Sequence, residues 1–265
     1  MTEHKPNAAA AAAHERLFPG HVSKLAVSDP ELIENFDNFA FDEVLRHTGP
    51  LPERTRVMTQ LAALIALGAL SEYRLMLGAA LAIGVSPVEA KEIVYQAVPY
   101  VGMGNVFDVL NATNEILTER GVALPLPGQS TTTPQTRLAA GLAVQKQIVG
   151  EAAVDAMYAN APADQSHIQE FLSGNCFGDH YTRTGLDVPT RELLTFSMLV
   201  ALGGADPQVR GHVAANVHVG NDRALLIAVL TGLLPFIGYP RTLNGLSALD
   251  AIAPAPAAPA RKESA

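Results

Sequence analysis

Arg56-Val-Met-Thr-Gln-Leu-Ala-Ala-Leu-Ile-Ala-Leu-Gly68 and Arg191-Glu-Leu-Leu-Thr-Phe-Ser-Met-Leu-Val-Ala-Leu-Gly203 are two versions of one segment. Val57–Ala69 and Glu192–Leu202 within them are almost continuously apolar. Ten or more such residues exceed a typical buried strand and fit a buried helix. Working outward, Phe41 matches Phe177, Gly84 matches Gly220, Pro99 matches Pro235 and Gly102 matches Gly238, always at an offset of 135 or 136 residues. That period is longer than a solenoid repeat, so the chain reads as a tandem duplication of a whole domain. The helix after the first segment opens with Ser86-Pro-Val-Glu89, a capping box with proline at the first helical position. Its match begins at Asn221-Asp222, where the asparagine is the expected cap. No alternating strand runs or hairpin pairs stand out. The run Ala224–Gly238 is shorter than the ~20 residues of a membrane helix and contains Pro235, so it reads as buried.

Of the 265 residues, 48% are apolar and 17% charged, enough for a sizeable core and against global disorder. The net charge of −8 argues against a nucleic-acid surface, which needs clustered Lys and Arg. Cys176 is the single cysteine, so no disulfide forms within the chain and no multi-cysteine zinc site exists. Absence of a signal-peptide pattern and of a membrane span points to a cytoplasmic protein. The expected domains are a disordered segment 1–16, a first copy 17–123, a Pro/Gly/Ser/Thr linker 124–134, a second copy 135–252 and a Pro/Ala-rich disordered tail 253–265. No phosphate loop, dinucleotide fingerprint or metal-ligand spacing is present, so no cofactor and no metal are expected.

The second copy carries Phe177-Gly-Asp-His-Tyr-Thr-Arg-Thr-Gly-Leu-Asp-Val-Pro-Thr-Arg-Glu, then Gly211-His-Val and Pro235-Phe-Ile-Gly-Tyr-Pro-Arg. This string resembles the carboxymuconolactone decarboxylase family, part of the alkylhydroperoxidase D-like superfamily. The resemblance implies an all-α fold: two alkylhydroperoxidase D-like helical bundles in tandem, packed as a pseudo-dimer. It also implies a homo-oligomer, with a homotrimer of duplicated chains preserving six units. One branch of the superfamily needs a Cys-x-x-Cys pair, and here Gly203-Gly-Ala-Asp206 stands in its place. The other branch decarboxylates 4-carboxymuconolactone in aromatic-compound degradation, without cysteines. The expected function is therefore a cofactor-free lyase or isomerase acting on a small carboxylated lactone or a related enolisable compound. Two alternatives stand beside it: a peroxidase-like protein using the single Cys176, which must then be exposed and acidic, and a non-catalytic small-ligand binding protein.

His212 is the first candidate for proton transfer, because imidazole titrates near neutrality. Glu192 is its expected partner, and a first-turn carboxylate favoured by the helix dipole is the plainer account. Arg183 offers a guanidinium to a substrate carboxylate, against a salt bridge with Asp179 as the structural alternative. His180, Tyr181 and Tyr239 are candidate substrate-binding residues. Arg191, matched by Arg56, reads as a structural tie at the helix start. The first copy lacks most of this set, with Val57 at the position of Glu192 and Met76-Leu77 at that of His212, and reads as a scaffold.

Overall fold

A computed structural model describes residues 4–255. Among these residues there are helices and no strands. The first copy runs α1 (Ala8–Leu17), α2 (Leu25–Ser28), α3 (Pro30–Asn38), a π-helical turn Phe39–Glu43, α4 (Glu53–Leu67), α5 (Leu70–Ala82), α6 (Pro87–Val101) and α7 (Met103–Glu119). The second repeats that order as α8 (Arg137–Val149), α9 (Glu151–Ala159), α10 (Ser166–Phe171), a π-helical segment Leu172–Tyr181, α11 (Val188–Leu202), α12 (Asp206–His218), α13 (Arg223–Ile237) and α14 (Tyr239–Ile252). The all-α, two-bundle architecture expected from the sequence is the one observed.

α4 is buried at every position from Arg56 to Ile65, and α11 at every position from Arg191 to Ala201. A helix that is apolar all round must sit inside. The two helices achieve this by packing on each other, with α6 laid across α11 and α13 laid across α4. The swap of partners is what a pseudo-twofold axis between the copies produces. The core is shared accordingly: Leu194 and Met198 join the apolar cluster of the first copy, and Leu51 and Ala63 join that of the second.

Local chemistry fixes the helix ends. The Ser86–Glu89 capping box is present in both directions. At the matching start the cap is Asp222, not Asn221: its carboxylate accepts from Leu225 N at 2.8 Å. Asn221 is buried instead, donating to Pro189 O and Asn216 Oδ1. Gly102 and Gly238 stand between successive helices at φ +79° and +78°, a region side chains disfavour.

The amino-terminal segment departs from expectation. Of the residues 1–16 expected to be disordered, 8–16 are helical. Asn7 caps α1 by accepting from Ala10 N, and Ala10, Ala13, Leu17 and Phe18 are buried, with Phe18 and His14 in ring contact with Phe41. α1 packs on the π-helical turn, as α8 packs on the π-helical segment of the second copy. Residues 120–136, which include the expected linker, contain no helix. Most of the expected tail, 256–265, lies outside the described residues.

α8 and the π-helical segment meet backbone to backbone. A Cβ on Gly141 would lie 1.9 Å from Ser173 O, and one on Gly178 would lie 2.2 Å from Arg137 O. Only glycine allows that approach, which sets the position of Cys176, Tyr181 and Arg183 against α6.

Candidate active site

Two turns of α11 place Arg191, Glu192 and Thr195 inside the protein, each 0% exposed. Three groups converge on Glu192. Its Oε2 lies 2.8 Å from His212 Nδ1 on α12, and its Oε1 accepts from the Tyr181 hydroxyl at 2.6 Å. Asn216, one turn after His212, donates to the carbonyls of Glu192 and His212 and locks α12 to α11. A carboxylate accepts only, so Nδ1 carries the proton and the lone pair of neutral His212 is on Nε2. Nε2 has no hydrogen-bond partner among the described residues, and the side chain is 17% exposed.

The network continues through the first copy. Tyr181 Oη receives Tyr100 Oη at 3.1 Å and Thr195 Oγ1 lies 2.9 Å away. Thr195 accepts from Gln96 Nε2, and Gln96 Oε1 accepts from Arg191 Nη1 at 2.9 Å. Arg191 Nη2 pairs with Glu92 Oε2 at 2.8 Å. Tyr100 donates to Tyr181 and Tyr181 to Glu192, so fixed dipoles solvate the buried carboxylate in place of water, while Arg191 Nη2 points the other way, to Glu92. Burial above all, with the nearby Glu192 charge among the lesser causes, holds the Tyr181 and Tyr100 phenols well above their ordinary range. Both therefore remain donors.

His212, Glu192 and Tyr181 are thus brought together. Arg183 is not part of that contact. Its Nε and Nη2 edge is taken by Glu92, at 2.8 to 3.1 Å, and Asp179 pairs with Arg137 at 2.6 Å instead. Arg183 faces a cavity whose walls include neither His212 nor Glu192. His180 is half-buried with Nδ1 unpartnered, and burial lowers its pKa. Tyr239 opens α14 at 61% exposure, remote in contact from the cluster. Arg191 is the structural tie expected, though its main partners are on α6 and not at its own helix start.

The single-thiol alternative does not fit. Cys176 is 6% exposed, its Sγ 3.7 Å from Tyr100 Oη, and burial pushes its pKa up to about 12. A reactive thiol needs the reverse. Among the described residues no three His, Cys, Asp or Glu side chains gather as metal ligands.

Sequence reading missed Glu92, Gln96 and Tyr100. They recur every four residues along one face of α6, and at the repeat offset their matches on α13 are Ala228, Gly232 and Phe236. The pseudo-symmetric position is largely apolar: Leu45, Val57 and Met76 from the first copy meet Phe236 from the second in one hydrophobic cluster. Gln60 does there what Thr195 does in the polar cluster, but it reaches only the carbonyl of Gly232. Each copy therefore supplies one half of the polar cluster and one half of its apolar mirror image.

A family model described as the carboxymuconolactone decarboxylase family matches the chain twice, over residues 30–115 and 167–251. The chain is also similar to the 4-carboxymuconolactone decarboxylase of Acinetobacter baylyi, at 30% identity over 106 residues, covering 40% of this chain and 78% of that relative.

Proposed function

The chain belongs to the carboxymuconolactone decarboxylase family, and on that premise we propose that it is a cofactor-free lyase or isomerase for a small carboxylated lactone or a related enolisable compound, with His212 as the proton-transfer residue. The observation that carries this reading is the His212 Nδ1–Glu192 Oε2 contact, with Glu192 held in turn by Tyr181. It leaves Nε2 free to exchange a proton with a bound molecule.

The chemistry follows from that geometry. Breaking the bond to the carboxylate releases CO₂ and leaves the electron pair on the substrate as a dienolate. An imidazolium at His212, stabilised by the Glu192 carboxylate, gives its Nε2 proton to the dienolate carbon. The neutral ring then regains a proton from solvent. Run as an isomerase, neutral Nε2 takes a proton beside the carbonyl and returns it elsewhere on the same molecule. Glu192 acts by fixing the tautomer and balancing the charge, and Tyr181 by holding Glu192. Arg183 enters through Glu92, which it anchors. The expected assembly is a homotrimer, to be checked by the solution mass of the full chain.

The test is incubation of the purified protein with 4-carboxymuconolactone, followed by ultraviolet absorbance and CO₂ release. Loss of absorbance with stoichiometric CO₂ is the expected result. Neither change would set this substrate aside and favour another enolisable compound or a binding role.

A further inference from the structure

Lys91 and Arg183 face one cavity of about 340 Å³ between α6, α7 and the segment 124–129. That volume is within the ~300–1,000 Å³ range of small-molecule pockets. Val88 and residues 124–127 give it apolar walls, and Lys91, Glu92, Tyr95, Asn114, Gln129 and Arg183 supply its polar part. The two cations share the Tyr95 ring: Lys91 Nζ lies 5.5 Å from its centroid and the Arg183 guanidinium carbon 5.0 Å.

Neither cation is fully answered by the protein. Lys91 is 8% exposed, and its Nζ donates to the neutral amide oxygen of Asn114, with no carboxylate paired to it among the described residues. Arg183 spends Nε and Nη2 on Glu92, which leaves Nη1 unpartnered among the described residues. Glu92 is itself divided between Arg183 and Arg191. Three cations thus stand against one carboxylate, a surplus of two positive charges in a chain whose net charge is −8. A buried charge without a counter-charge is unfavourable. Burial lowers the pKa of Lys91, and a bound anion would raise it again.

We infer that this cavity is a binding site for a small organic carboxylate, its acid group held by Lys91 Nζ and Arg183 Nη1 and its apolar body by Val88 and the 124–127 wall. His212 and Glu192 are not among its walls, and binding there does not require the reaction proposed above. It takes its ligand by charge and by a flat apolar flank, so a ring or short-chain acid fits and its neutral amide does not.

Titration calorimetry of the full chain with phthalate, and with phthalamide as the uncharged control, tests it. Saturable binding of phthalate and none of phthalamide is expected. Lys91→Met, nearly isosteric and apolar, should weaken phthalate by about tenfold or more, as loss of a charge-assisted hydrogen bond does. Lys91→Arg, which keeps the charge, should retain binding, and so should His212→Ala. The inference is overturned by absence of saturable phthalate binding in the wild type, or by Lys91→Met binding as the wild type does. Binding lost in His212→Ala but kept in Lys91→Met also overturns it, by placing the anion at the histidine.

Discussion

Glu92→Ala should weaken the protein more than any surface ion-pair change. Glu92 sits on α6 of the first copy at 1% side-chain exposure and holds Arg183 and Arg191 of the second. Arg191, at 0% exposure, keeps hydrogen bonds to Gln96 and to the carbonyls of Arg183 and Thr184, but these are neutral groups. Removing the carboxylate therefore leaves a guanidinium buried without a counter-charge, a change that costs about 3–5 kcal/mol. Arg183 is 17% exposed and can rehydrate, so it adds little. At ~2–4 °C per kcal/mol for a chain of roughly this size, the melting temperature should fall by about 6–20 °C. Thermal and urea unfolding measure it, with Glu115→Ala in the exposed Arg74–Glu115 pair as control, expected within about 1 kcal/mol of wild type. Replacing Glu92 and Arg191 together by methionine should recover much of the loss, since an apolar pair of similar volume needs no counter-charge. A Glu92→Ala protein as stable as the Glu115→Ala control would refute the reasoning, because the two copies would then not depend on this pair.

Other consequences follow from the same geometry. Tyr181→Phe removes the donor to Glu192 Oε1 and a partner of Thr195, so unfolding should show a loss of about 1–3 kcal/mol, with turnover reduced as Glu192 loosens. Gly178→Ala forces a Cβ toward Arg137 O, and overpacking of about 1–3 kcal/mol or more should appear as a lower melting temperature. Cys176 should resist iodoacetamide at neutral pH and react promptly after unfolding, because its folded pKa of about 12 stands above the ordinary 9.0. The sign of the linkage is that this contribution to stability is present below pH 9 and is lost as pH rises toward 12. Equal labelling of folded and unfolded protein would contradict the burial of the thiol.

What could be read from the chain divides along the range of the interactions. Periodicity and the repeat offset sufficed for α4 and α11, because a helix apolar on all sides has one place to go. His212 and Glu192 were found through the motif string, and both lie in the second copy within twenty residues of each other. Glu92, Gln96 and Tyr100 were invisible because their partners lie 81 to 99 residues away across the pseudo-twofold axis. A comparison of α6 with α13 would have exposed them, since a buried helix has little other reason to carry Glu92 where its copy has Ala228. The salt-bridge partner of Arg183 was hidden for the same reason: it is Glu92 on the other copy, and Asp179 pairs with Arg137 instead. α1 was misread because an alanine run looks like low complexity, whereas Ala10 and Ala13 are small enough to pack closely over the π-helical turn. Tyr239 follows a glycine turn whose direction depends on the positive φ of Gly238, which motif spacing does not encode.

The turnover of 4-carboxymuconolactone by His212→Ala, set against wild type under the same conditions, bears most directly on the proton-transfer role. Removing a general acid or base typically costs 10²–10⁴ in rate, and a fall of about that size in kcat with the fold intact is the result this account predicts. Full turnover by the mutant would contradict it and separate the His212–Glu192 pair from the chemistry.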